Sequence, residues 1–228
     1  MWLQTAPEMA PWDFIATGSE NDYAASPFHI EVLAAGAWEQ KAFNKLSYIT
    51  ATFPEDWFST QEEPLSTWMF RWADRLAPRH GFGGLSFYLP VSRAACANME
   101  KEVYESALRY PAIELDYPVN QLRDLSDKLK GVNWLTAVGD DLMRQLDKTE
   151  RPPSSAILSK YNGGTLIQLG DSVPSRNLTQ NDIPENYREL DRFLKPVRVQ
   201  PAHGWGNAAN SGFDWQGTCD LLARFDKA

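Results

Sequence analysis

The sequence predicts an α+β fold: a single domain over residues 1–228, a largely antiparallel mixed sheet flanked by helices. Three observations predict it. Strand-like and helix-like segments are mixed, without the regular β-α alternation of a doubly wound parallel fold. A turn signal, Asn162-Gly163-Gly164, joins two apolar runs in the manner of a β-hairpin. The chain of 228 residues, 43% apolar and 12% aromatic, is globular in composition and long enough for a sizeable core.

The elements follow in order. Residues 28–33 read as a strand, and Leu46 to Phe53, rich in β-branched and aromatic residues, as a second. A polar connection, Pro54 to Glu63, carries two aromatics. Pro64 suits the first turn of a helix, and Leu65, Trp68, Met69, Trp72 and Leu76 then recur at helical spacing. Glu62 and Glu63 at its start and Arg71, Arg75 and Arg79 towards its end match the helix dipole. Gly84 to Leu89 reads as a strand with Leu85, Phe87 and Leu89 on one face. A second helix runs from about Ala94 to Tyr110, with Cys96, Met99, Val103 and Ala107 inward, and Pro111 ends it. Val132 to Val138 is apolar enough for a buried strand. Asp140 or Asp141 is expected to cap a helix holding Leu142, Met143 and Leu146. Ala156 to Ser159 and Thr165 to Leu169 form the hairpin. A helix from Pro184 carries Tyr187, Leu190 and Leu194 and stops at Pro196; residues 200–212 are irregular, and Trp215, Cys219 and Leu222 predict a short closing helix. Trp68, Trp72, Trp134 and Trp215 fall at periodic positions, which places them in the core.

Charge is distributed unevenly. The net charge is −8, and residues 1–63 hold ten acidic side chains against Lys41 and Lys45, so this segment carries the whole excess. An acidic surface repels nucleic acid and steers towards basic partners, although a solvated acidic surface is also common. No apolar run reaches the roughly 18 residues of a membrane span. Met1 to Glu8 lacks a basic region and an apolar core, so the expected location is the cytoplasm, with Cys96 and Cys219 as reduced thiols.

Motifs for chemistry are scarce. His29, His80 and His203 have no second His or Cys at zinc-ligand spacing. His80-Gly81-Phe82-Gly83-Gly84 has no Gly-x-Ser-x-Gly elbow to serve and reads as a turn into a strand. Gly204-Trp205-Gly206-Asn207-Ala208-Ala209 matches a dinucleotide pattern literally, but too little chain follows it for the required βαβ unit. Neither cofactor nor metal is expected. Trp57 lies off any helical or strand period, beside Glu55, Asp56 and Phe58. Aromatics among acids in a loop suit a binding hot spot for a basic partner; equally, Trp57 and Phe58 can tuck under the loop as a satellite cluster.

Three blocks carry a family resemblance. The first is Lys130-Gly131-Val132-Asn133-Trp134-Leu135-Thr136 with the Gly139-Asp140 turn. The second runs from Gly164-Thr165-Leu166-Ile167-Gln168-Leu169-Gly170-Asp171 through Pro184-Glu185-Asn186-Tyr187-Arg188 to Leu194-Lys195-Pro196-Val197-Arg198. The third is Leu222-Ala223-Arg224-Phe225-Asp226. With the helix from Leu65 to Arg79 and Gly81 to Gly84, they make residues 60–226 resemble the type VI secretion immunity proteins, while the first 55 or so residues match weakly and Gly204 to Gly212 looks like an insertion. The resemblance implies a cytoplasmic protein that is not an enzyme and that binds and inhibits a cognate secreted antibacterial toxin.

These readings combine into one expectation. The toxin is a nuclease with a basic groove, and an acidic and aromatic surface of this chain, Glu55, Asp56, Trp57, Glu62 and Glu63, occludes its active site or substrate groove. Nucleic acid and membranes are not expected partners. The alternatives are a hydrolase or transferase with an unrecognised site, for which His80 and Cys96 are the candidates, and a housekeeping interaction module with no toxin.

Overall fold

The computed structural model describes residues 10–43, 45–115, 121, 125–147, 149–207, 209 and 211–226; the terminus Met1 to Glu8 and Ala208, both used in the sequence reading, lie outside them. The architecture is α+β and antiparallel, as expected, but the strands divide between two sheets. The first has order β1-β2-β3, formed by Trp12–Thr17, His29–Ala34 and Tyr48–Thr52. A short helix α1, Ala37–Phe43, links β2 to β3. The second has order β4-β5-β7-β6, formed by His80–Gly83, Leu135–Gly139, Gly164–Leu169 and Ala156–Tyr161. Every pairing within both sheets is antiparallel.

Helix α2, Leu65–Leu76, separates the two sheets in sequence and packs on the second. Its Met69 crosses β4 so closely that a Cβ on Gly83 would sit 2.7 Å from the Met69 sulfur, which explains the glycine there. All of β5 is buried, so this strand is covered on both faces and reads as a continuous apolar run. Its core neighbours include Ile167 of β7 and Tyr187, Leu190 and Leu194 of the helix Glu185–Leu194, called α5 below. The hairpin between β6 and β7 turns at Asn162 and Gly163, where Gly163 takes φ +88°, a region open to glycine at little cost.

Helix α3, Arg93–Arg109, starts at Ser92, whose hydroxyl accepts from the Ala95 amide at 3.4 Å. Cys96, Val103 and Ala107 are buried as expected, but Met99 is exposed and Glu100 takes the inward place. The Glu100 carboxylate accepts from the Asn207 amide at 2.7 Å, which fastens α3 to the irregular segment before the last helix.

Several sequence expectations need correction. Gly84 to Leu89 is not a strand; its ladder is one bridge, Ser86 to Glu114, and the strand is β4, immediately before. The four-residue helix α4, Asp140–Met143, is capped by Gly139 with no side-chain cap. Asp141 instead pairs with Arg79 at 2.9 Å and Asp140 with Lys160 at 3.4 Å, and Leu146 lies beyond the helix. The closing helix α6, Trp215–Leu222, buries Thr218, Leu221 and Leu222 and leaves Trp215 exposed. The Trp215 indole donates to the Pro201 carbonyl at 2.9 Å, which holds the ring outside the core. No helix among the described residues is long and apolar enough to cross a membrane.

Candidate functional site

The segment between β3 and α2 folds around aromatic rings. Asp56 precedes one 3₁₀ turn, Trp57–Ser59, and the Trp57 ring stacks on Phe53 at 5.9 Å with its edge against Phe28 at 5.1 Å. Phe58 and Trp68 close the group, each meeting Phe53 edge-on, and Trp72 follows Trp68 along α2. Trp57 and Phe58 are therefore half-buried in a satellite cluster that ties the first sheet to α2. The Trp57 indole N–H meets no acceptor there.

The four acids around this cluster lie at its surface. Glu55 pairs with Arg176 at 3.3 Å and Glu63 with Arg71 at 2.7 Å, while Asp56 and Glu62 are exposed. Both ion pairs are solvent-accessible and contribute little stability, which leaves the carboxylates available for exchange with another cation. The loop thus brings Glu55, Asp56 and Trp57 together and sets Glu62 and Glu63 at the entry to α2.

Neither candidate for catalysis is tuned for it. Burial, with Glu100 beside it, pushes the Cys96 thiol up to about 11, and the thiol donates to the Pro90 carbonyl at 3.0 Å. A thiol of that pKa carries almost no thiolate at neutral pH. Desolvation pushes the His80 imidazole down to about 4, a weak base. Two shallow concavities of about 280 and 400 Å³ share Glu150, Arg151, Pro152 and Phe193, and neither residue lines them. Among the described residues no three His, Cys, Asp or Glu side chains gather where they could hold a metal.

The blocks that carry the family resemblance converge inside the molecule. Lys130 of the first and Arg224 of the third grip one buried carboxylate, Glu114, at 2.7 and 2.9 Å. Burial alone would raise that carboxyl, but Lys130 and Arg224 hold it below the usual carboxylate range. Lys130 also donates to the Leu115 carbonyl, and Arg224 to those of Pro111 and Leu221. Arg198 of the second block spans Asp191 at 2.5 Å and Asp226 of the third at 2.7 Å. Asn133 turns its oxygen to the Trp134 amide at 2.7 Å and lies against Gly84, where a Cβ would come within 2.0 Å of it. The Trp134 indole donates to the Gly170 carbonyl at 3.2 Å. These residues build the scaffold. The sequence marked them, but only the fold reveals that Glu114, outside every block, joins two of them.

A Pseudomonas aeruginosa T6SS protein, PA0821, superposes with a TM-score of 0.81 at 21% identity, over 98% of this chain and 64% of that one. The chain thus spans somewhat less than two thirds of that structure, and at this identity the likeness shows the fold. No curated protein matches the sequence. A family model described as type VI immunity for VRR-NUC matches residues 2–225, so the weakly resembling N-terminal segment lies within the match as well. The chain belongs to this family, TsiV, the type VI immunity proteins for VRR-NUC nuclease toxins.

Proposed function

We propose that this chain, acting as one domain in the cytoplasm and without catalysis or cofactor, binds a cognate VRR-NUC toxin and blocks its access to nucleic acid. The family match over residues 2–225 carries the reading. Charge supports the mode. A nuclease must present cations to the phosphates it holds, and the first 63 residues of this chain carry its entire excess of −8. Acids at the mouth of a basic groove accelerate encounter and compete with phosphate for the same side chains. Glu55, Asp56, Glu62 and Glu63 supply those contacts in this reading, and Trp57 fixes their loop through its stacking on Phe53.

Two measurements test it. Co-expression with a cognate VRR-NUC toxin should restore growth, and the purified chain should suppress nucleic-acid cleavage by that toxin. Reversing all four acids to lysine should slow association and flatten its dependence on salt. No protection against any VRR-NUC toxin of the same genome refutes the immunity reading. Unchanged affinity and salt dependence in the four-fold variant refutes the placement at this loop.

A further inference from the structure

The sheet β1-β2-β3 has two unlike faces. Its register sets Phe14, Val32 and Ile49 in one row and Ala16, Ile30 and Ala51 in the next, all apolar and all on one face. The opposite face carries the rows Ile15, Glu31, Thr50 and Thr17, His29, Thr52. The polar face is the one turned inward. Glu31 accepts from Tyr48, lies 3.7 Å from His29, and faces the charge of Arg93 at the start of α3. The apolar face is open to solvent along both outer strands, with Phe14 46% and Ile49 41% exposed, and half-buried along the central strand at Ile30 and Val32. At one end it runs into the ring cluster through Phe28 and Phe53. Beyond the other, α1 holds Trp38 and Phe43 as an exposed edge-to-face pair at 6.0 Å. Among the described residues, five of the thirteen exposed large apolar side chains, Phe14, Phe28, Trp38, Phe43 and Ile49, lie on this face or at its two ends. Such a concentration marks an interaction surface, because scattered exposure would be ordinary.

Charge decides what covers it. Glu20 and Asp22, between β1 and β2, and Glu55 and Asp56, after β3, all follow the end of the sheet where Thr17, His29 and Thr52 align. A second copy would offer these acids few cations, since its own first 63 residues hold only Lys41 and Lys45 against ten carboxylates. A protein with an apolar wall beside cations would match both parts, giving an apolar centre with a charged rim. We infer that the apolar face of β1-β2-β3, with the acids at its end as steering rim, is the docking surface for the basic nuclease toxin. The inference rests on the immunity reading above and goes beyond the loop from Glu55 to Glu63: the sheet face supplies the binding energy and the loop one edge of it.

The test uses residues 1–228 and a VRR-NUC toxin from the same genome with its nuclease activity inactivated. Affinity is measured for wild type, for Phe14→Lys/Ile49→Lys, and for Ile157→Lys/Leu158→Lys on β6, where both side chains are comparably exposed. Thermal unfolding of each verifies folding. Wild type should bind, the sheet variant should lose at least about 30-fold, and the β6 variant should stay within about twofold. Equal binding by wild type and sheet variant overturns the inference while sparing the immunity reading. No binding by wild type overturns both. A wild-type dimer that the sheet substitutions split assigns the face to a second copy and also overturns it. If the lysine variant unfolds, Phe14→Ser/Ile49→Thr carries the same comparison.

Discussion

Replacing Glu114 with glutamine should unsettle the whole scaffold. Glu114, Lys130 and Arg224 are 3, 1 and 2% exposed, so the carboxylate faces two cations with almost no water to share their charge. Glutamine keeps the shape and one acceptor oxygen but turns an N–H₂ group towards Lys130 or Arg224. Two buried cations then lack a counter-charge. Breaking a buried pair by removing one partner costs about 3–5 kcal/mol. For a chain of this length that lowers the unfolding midpoint by about 6–20 °C. The acid limb gives a second readout. The folded carboxyl titrates below its ordinary value of 4.5. Its stabilisation is therefore complete above about pH 4.5 and is lost as pH falls through the folded pKa. Wild type should lose this contribution on acidification, and Glu114→Gln should start without it. Urea unfolding at pH 7 and at pH 4 measures both effects. A loss below about 1 kcal/mol at pH 7 would mean that the carboxylate does not hold the two cations.

Two further outcomes follow from the same interior. The folded pKa of His80, about 4, lies below the ordinary 6.5, so unfolding takes up a proton between those values. Stability is full above about pH 6.5 and declines towards pH 4, by at most about 3 kcal/mol, and His80→Gln should flatten that slope in pH-resolved thermal melts. Gly84→Ala places a Cβ 2.0 Å from the Asn133 oxygen and should displace the side chain that caps the Trp134 amide. Unfolding should be easier by about 1–3 kcal/mol, with a changed tryptophan emission; an unaltered midpoint would show that Asn133 can step aside.

Helices α2, α3 and α5 were legible because their apolar residues recur at 3.6-residue spacing and long-range packing did not override it, whereas the seven-residue α1, with no buried residue, was not. The hairpin at Asn162 and Gly163 was legible from its turn chemistry. Strand β1 was not, because Trp-Asp-Phe-Ile-Ala-Thr has no clean alternation and becomes a strand by pairing with β2. Leu85, Phe87 and Leu89 do alternate, yet the ladder formed at His-Gly-Phe-Gly, where small residues let Met69 approach. In α6 the period was right and the phase wrong, since Trp215 caps a carbonyl outside the core. The acidic excess could be counted from composition. Which face of β2 turned inward could not, since His-Ile-Glu-Val-Leu-Ala alternates equally well either way round. Only the neighbours of Glu31 decide it.

The division of labour between the two sheets follows from burial. A side chain that fills the interior cannot touch a partner, and Lys130, Asn133, Trp134, Arg198 and Arg224 are all buried. The residues that make this chain recognisable are thereby excluded from recognising anything themselves. What remains for binding must be surface that the scaffold holds but does not consume. In β1-β2-β3 no residue is fully buried and one face is wholly apolar. Folding alone gains nothing from leaving Phe14 and Ile49 exposed in one row with Val32 between them, since turning the sheet over would bury them. The inward polar face, held by Glu31 with Tyr48 and His29, forgoes that gain. An arrangement that forgoes apolar burial within the chain makes physical sense when the burial is completed by another molecule, and the surrounding acids specify that molecule as basic.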